Sequence, residues 1–194
     1  MARTIEFDRN QVLERATEVF WRDGFCKTSV SSLVEATRLN PGSIYSAFKS
    51  KEGLFLAALE HYGQRTIRKA RQCLDEAQSP LDGIKRFLGR IAEDMIGDRS
   101  HRGCFLVNTI LEMSPHSKKV QEKATQQLNV VEALLADAVG EAIKRGELSP
   151  RTRPEVLARF VMVNIWGMHV LSKTGADDKS IRQQLAVLVN CLEA

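Results

Sequence analysis

Apolar residues recur at helical spacing along nearly the whole chain, and the strict alternation that marks strands is absent. Asp8, with Gln11 three residues later, has the form of a capping box, and Val12, Ala16, Val19 and Phe20 follow on one stripe that Leu13 widens. Gly24 predicts the left-handed stop of this first helix. Thr28 or Ser29 opens a second one, with Val30, Leu33 and Val34 inward, and Asn40-Pro41 starts a third after a break at Arg38-Leu39. Two short helices joined by a few residues predict a helix-turn-helix, with the first helix covering their shared apolar face.

The stretch from Arg38 to Lys51, RLNPGSIYSAFKSK, has the build of a recognition helix. Asn40 caps it, Pro41 suits its first turn, and Gly42 and Ser43 leave the backbone of that turn unshielded. Ile44 and Phe48, four apart, bury one face, while Tyr45 points to another. Lys49 and Lys51 lie just past the end, and no acidic residue interrupts the stretch, so a polyanion can lie along it without repulsion.

Downstream, Ser50 caps a helix carrying Leu54, Phe55, Ala58, Leu59 and Tyr62 inward, and Glu52 suits its dipole. The continuation with Arg65, Arg68, Lys69 and Arg71 reads as a solvated face. Pro80 begins another helix, with Ile84, Phe87, Leu88 and Ile91 inward. Residues Cys104 to Leu111 are nearly all apolar, with Asn108 and Thr109 as exceptions, until Pro115 breaks the run. A long helix is expected from about Lys119 to Arg145, ended by Gly146, then a pair at Pro154–Thr174 and from Asp178 onward. The Pro154 helix is apolar on more than one face, with Leu157, Phe160, Val161, Val163, Ile165, Trp166, Met168, Val170 and Leu171. Such a helix is expected to be buried all round, by its own core on one side and a partner chain on the other.

Composition narrows the function without choosing it. A net charge of +4 over 194 residues permits a nucleic-acid partner and does not require one. Cys26, Cys73, Cys104 and Cys191 are widely spaced, with no CxxC pair, which argues against a metal site or a disulfide framework and for a reducing compartment. The first ten residues hold no signal-like apolar run, and no segment approaches the ~20 apolar residues of a membrane span, so a soluble, cytoplasmic protein without cofactor is expected.

Gly24-Phe25, Thr28-Ser29-Val30, Leu33, Ala36-Thr37, Gly42-Ser43-Ile44-Tyr45, Phe48, Ser50-Lys51-Glu52 and Leu54 together resemble the N-terminal signature of the TetR family of bacterial transcriptional regulators. The resemblance covers residues 9 to 60 closely, and the remainder only in helix count and length. It implies an all-α fold: a three-helix helix-turn-helix DNA-binding domain, placed at residues 1–52, and a larger C-terminal helical domain for ligand binding and dimerisation, at 53–194. It implies a homodimer on a double-stranded DNA operator, joined through the helices at Lys119–Arg145 and Pro154–Thr174, and a small-molecule effector. DNA contacts carry over onto Thr28, Ser29, Gly42, Ser43, Tyr45, Ala47 and Lys51, with Thr28 and Lys51 on phosphate. Arg38 stands where the family commonly has glycine, so either the turn tolerates a side chain or Arg38 adds a phosphate contact. Ala47 replaces a usually larger residue. With Gly42, Ser43 and Ala47 all small, methyl contacts, water and DNA shape are expected to carry much of the specificity.

For the effector, two sets of residues stand out. Cys104 follows Arg99, His101 and Arg102 at what reads as the first turn of a helix, a setting that favours thiolate, and RGCFLVN resembles segments of family members that respond to electrophiles. The competing reading is an inert packing cysteine, the role expected of Cys26, Cys73 and Cys191. Met162, Trp166 and His169 at helical spacing, with Asn108, are candidates for a reversible pocket, against plain core. No nucleophile–base–orienter set, GxSxG or phosphate-cradling glycine loop supports an enzyme. A DNA-binding protein whose C-terminal domain binds another protein is the remaining alternative.

Overall fold

The computed structural model describes residues 7–193. Among them are nine helices and no strand: α1 (Arg9–Lys27), α2 (Val30–Thr37), α3 (Pro41–Phe48), α4 (Lys51–Asp75), α5 (Pro80–Gly97), α6 (Phe105–Met113), α7 (Lys118–Lys144), α8 (Pro154–Lys173) and α9 (Asp178–Glu193). The starts are set by short-range hydrogen bonds. Asp8 accepts from the amides of Asn10 and Gln11, Ser29 from Ser32, Asn40 from Ser43, and Ser79 from Asp82. Ser50 Oγ accepts from the Gly53 amide at the head of α4. Each satisfies an amide that the first helical turn leaves without a partner, worth typically about 1 kcal/mol against alanine.

Two compact units result, cut differently from the expected boundary after residue 52. The first holds the chain up to Arg65 together with Phe105–Gln127; the second holds Thr66–Cys104 and the chain from Leu128 onward. α6 and the start of α7, far along the chain, complete the first unit. There Phe20, Phe25, Phe55 and Phe105 form an aromatic centre, with Phe20–Phe55 ring centroids 4.8 Å apart and Phe55–Phe105 5.7 Å apart. Val12, Ala16, Leu33, Ile44, Phe48, Leu54 and Leu59 are buried with them.

In the second unit α5 buries Ile84, Phe87, Leu88, Ile91 and Met95, and α8 buries Ala158, Val161, Met162 and Ile165. α9 adds Ile181, Leu188 and Leu192. Arg182 pairs with Glu93, and Arg159 with Glu132, at 2.6 and 2.7 Å. Of the faces expected to be covered on α8, the chain itself covers one: Val156, Phe160, Val163 and Val170 are 43–55% exposed. These residues, with Gly167, fall on one stripe of the helix. Among the described residues no helix is long and apolar enough to cross a membrane.

Candidate nucleic-acid interface

The turn between α2 and α3 explains why two eight-residue helices keep a fixed angle. Arg38 adopts a left-handed conformation, φ 59° and ψ 21°, and its amide donates to Val34 O. The turn therefore tolerates a side chain where glycine is usual. Thr37 and Leu39 are buried beneath it, and the Thr37 hydroxyl donates to Leu33 O at 2.6 Å. α3 then buries Ile44 and Phe48 and leaves its other side open: Pro41, Gly42, Tyr45, Ser46 and Lys49 are exposed, Ser43 and Ala47 half-buried. A Cβ on Gly42 would meet only Asn40 Oδ1 of its own cap, at 3.3 Å, so nothing in the folded chain requires glycine there.

The head of α2 is built differently from expectation. Ser29, exposed, is the cap, whereas Thr28 is buried and its hydroxyl donates to Gly24 O. The Thr28 side chain, expected on phosphate, faces inward instead. Lys51 donates from Nζ to Thr28 O at 2.6 Å and lies 4.4 Å from the Phe25 ring centroid. Its charge is thus fixed beside the N-terminus of α2. Arg9 lies over the Phe48 ring at 4.7 Å, adding a cation near the end of α3 that the sequence reading did not single out. Lys51 thus stands by the head of α2, whereas Arg38 and Lys49 are the C-caps of α2 and α3.

The residues expected to sense an effector divide. Asn108 is half-buried on α6 in the first unit; Cys104, Met162, Trp166 and His169 belong to the second. Cys104 precedes α6 instead of opening it and is only 7% exposed. Arg102, one of its expected positive neighbours, is turned to Asp98, which accepts from its amide at 2.8 Å and from Nε at 3.1 Å. Cys26 and Cys191 are exposed and Cys73 is half-buried, so the expected packing cysteines are the more accessible ones. Desolvation and then the Glu112 carboxylate push the Cys26 thiol above its ordinary pKa. On α8, Met162 is buried, and Trp166 Nε1 and His169 Nδ1 are buried without a hydrogen-bond partner. Desolvation lowers the His169 pKa to about 4, against the opposing pull of Asp94 and Asp98.

Comparison with known proteins decides the family. Residues 12–58 match the description "Bacterial regulatory proteins, tetR family", and residues 80–188 match "Tetracyclin repressor-like, C-terminal domain". The chain belongs to the TetR family. It is a DNA-binding transcriptional regulator, and the matched relatives are regulators and not enzymes. The HTH-type transcriptional repressor ComR of Escherichia coli K12 is 30% identical over 178 residues, 91% of this chain and 85% of ComR. The repressor DhaR of Mycobacterium sp. strain GP1 is 26% identical, over 99% of this chain and 94% of DhaR. Among solved structures, the TetR family regulator CifR, as a cysteine mutant complexed with 26-base-pair operator DNA, superposes with a TM-score of 0.89 at 30% identity, covering 98% of this chain and 100% of that one.

For a TetR-type regulator one residue near the interface escaped the sequence reading. Glu112, on α6, accepts from the amides of Phe25 and Cys26 at the turn that leads into α2. Its only signal in the sequence is a charge within the otherwise uncharged helix FLVNTILEM.

Proposed function

We propose that the chain is a homodimeric repressor that occupies a palindromic operator in the cytoplasm and is released by a small hydrophobic effector. The observation that carries the DNA half is the open side of α3: exposed Gly42, Tyr45 and Lys49 over buried Ile44 and Phe48, with Lys51 anchored at the neighbouring helix head. Phosphate contacts then come from Lys51, Lys49, Arg38 and the Ser29 cap, and base-edge contacts from Gly42, Ser43, Tyr45 and Ala47. Relatives named as repressors, and CifR bound to its operator, support that direction.

The dimer rests on the apolar stripe of α8 together with exposed Val187 of α9. α7, expected to share the joint, has no large exposed apolar residue among those described, so α9 takes its place in this reading. Two recognition helices must meet two half-sites at once, and an effector acts by favouring one arrangement of the pair over the other.

Non-covalent sensing is the better-supported form of the effector reading. Trp166 Nε1 and His169 Nδ1 are buried polar atoms awaiting partners, which a small molecule supplies, whereas the burial of Cys104 disfavours attack by an electrophile. Selection of binding sequences from random DNA by the full chain tests the core claim. A palindrome with half-sites one helical turn or a multiple apart is expected; recovery of no preferred sequence overturns it.

A further inference from the structure

At Gly24 the backbone leaves the helix, with φ 79° and ψ 171°, and α1 resumes for one last turn at Phe25–Lys27. The first amides of a resumed helix have no partner within it. Glu112 supplies both: Phe25 N donates to Oε2 at 3.0 Å and Cys26 N to Oε1 at 2.8 Å, across 87 and 86 residues of sequence. The carboxylate sits so close that a Cβ on Gly24 would lie 2.8 and 2.9 Å from its two oxygens. On the far side of the same turn, Lys51 holds Thr28 O, and the next residue, Ser29, caps α2. Three of the residues that lead into α2, Phe25, Cys26 and Thr28, are therefore held through their backbones by α6 and by the head of α4.

We propose that Glu112 is a positioning residue for operator recognition, fixing the start of α2 so that α2 and α3 meet base edges in register. This rests on the DNA-binding reading above. Hydrogen bonds to base edges tolerate only a few tenths of an ångström, whereas long lysine and arginine side chains follow phosphates through larger shifts. Loosening the turn therefore costs sequence recognition and leaves general DNA affinity intact.

The test uses Glu112→Ala and Glu112→Gln in the full chain, with two duplexes: the sequence selected by the wild-type protein and a scrambled one of equal composition. Glu112→Ala is expected to weaken binding to the selected duplex by about tenfold, the scale of one hydrogen bond to a charged group. Binding to the scrambled duplex should stay within about twofold, and Glu112→Gln should also weaken the selected duplex, because its single amide oxygen can accept from only one of the two backbone amides. Wild-type affinity for the selected duplex, or equal loss on both, overturns the proposal. Should the alanine variant not fold, the isosteric glutamine variant decides by the same two criteria. If the wild-type chain itself selects no sequence, the DNA-binding reading has failed, and this proposal with it.

Discussion

α3 and α8 each bury one side and leave the other without a partner in the chain, yet the open sides differ in kind. α3 shows Gly42, Tyr45, Ser46 and Lys49, small or polar and free of negative charge. α8 shows Val156, Phe160, Val163 and Val170 around Gly167. An apolar stripe of that length gains by leaving water, at roughly 25 cal/mol per Å², and is satisfied by another apolar surface. A short polar helix end with exposed amides has nothing to gain that way and is satisfied by anions. The same local rule, one buried face per helix, thus yields two different interfaces according to what stands on the other face.

Charging the α8 stripe should break the comparison most severely. Phe160→Glu with Val163→Glu leaves the buried side of α8 untouched, so helicity should persist while the dimer dissociates. Loss of simultaneous half-site binding should weaken operator affinity on the order of a hundredfold or more. Sedimentation and operator titration check both parts, and a fully dimeric double variant would show that α8 is not the joint. Gly167 sharpens the point, since nothing in the chain lies within 4 Å of a Cβ placed there. Gly167→Leu should therefore preserve or raise the stability of the isolated chain, by up to about 1 kcal/mol of helix propensity, while weakening the dimer. That separates a glycine kept for a partner's approach from one kept for its own fold.

His169 lies on the flank of α8, with its ring held at a pKa of about 4, below the 6.5 of a solvated histidine. Between those values the unfolded chain binds a proton that the folded chain refuses. Stability is therefore full above about pH 6.5 and falls as pH drops towards 4, by no more than about 3 kcal/mol. His169→Gln should flatten this part of the profile in urea titrations across pH 4–7. An unchanged slope would place the acid sensitivity elsewhere.

On the DNA side, Lys51 and Tyr45 are expected to separate stability from binding. Lys51 is half-buried against Phe25 and bonded to Thr28 O, whereas Tyr45 is 46% exposed. Lys51→Ala should lower stability by about 1–2 kcal/mol and also weaken binding to every DNA sequence, with a smaller salt slope. Tyr45→Ala should leave stability within about 0.5 kcal/mol and reduce affinity for operator alone. Thermal melts beside salt-dependent titrations distinguish the two.

What could be read in advance follows from how far each contact reaches along the chain. Asp8, Ser29, Asn40 and Ser50 act within three residues, so the starts of α1 to α4 were legible, as was the positive φ of Gly24 and Gly146, although α1 resumes after Gly24 instead of stopping there. The apolar faces of α8 were visible too, but a pattern of side chains does not say which face its own chain covers. Contacts across many residues left little trace. Glu112 and its two amides are joined only by folding, and the first unit borrows α6 from beyond residue 100. The neighbourhood of Cys104 was legible only in part for a related reason. Of the basic residues before it, Arg102 is paired with Asp98, four residues earlier. Cys191 likewise falls beside the buried stripe of Ile181, Leu188 and Leu192, and not on it.

The smallest expected effect comes from Arg38, and it bears directly on what an exposed residue of the DNA side is for. A side chain in the left-handed region costs roughly 1 kcal/mol that glycine does not incur, and glycine loses part of that advantage through its freer unfolded chain. Arg38→Gly should therefore raise stability by a few tenths of a kcal/mol to about 1 kcal/mol, since its amide can still donate to Val34 O. If the guanidinium meets phosphate, the same change should lower the salt slope by about 1 per half-site and weaken specific and scrambled DNA alike. A stabilised variant with an unchanged salt slope would mean that the arginine is merely tolerated at the turn. A weakened slope would mean that strain at residue 38 is kept because the charge is used.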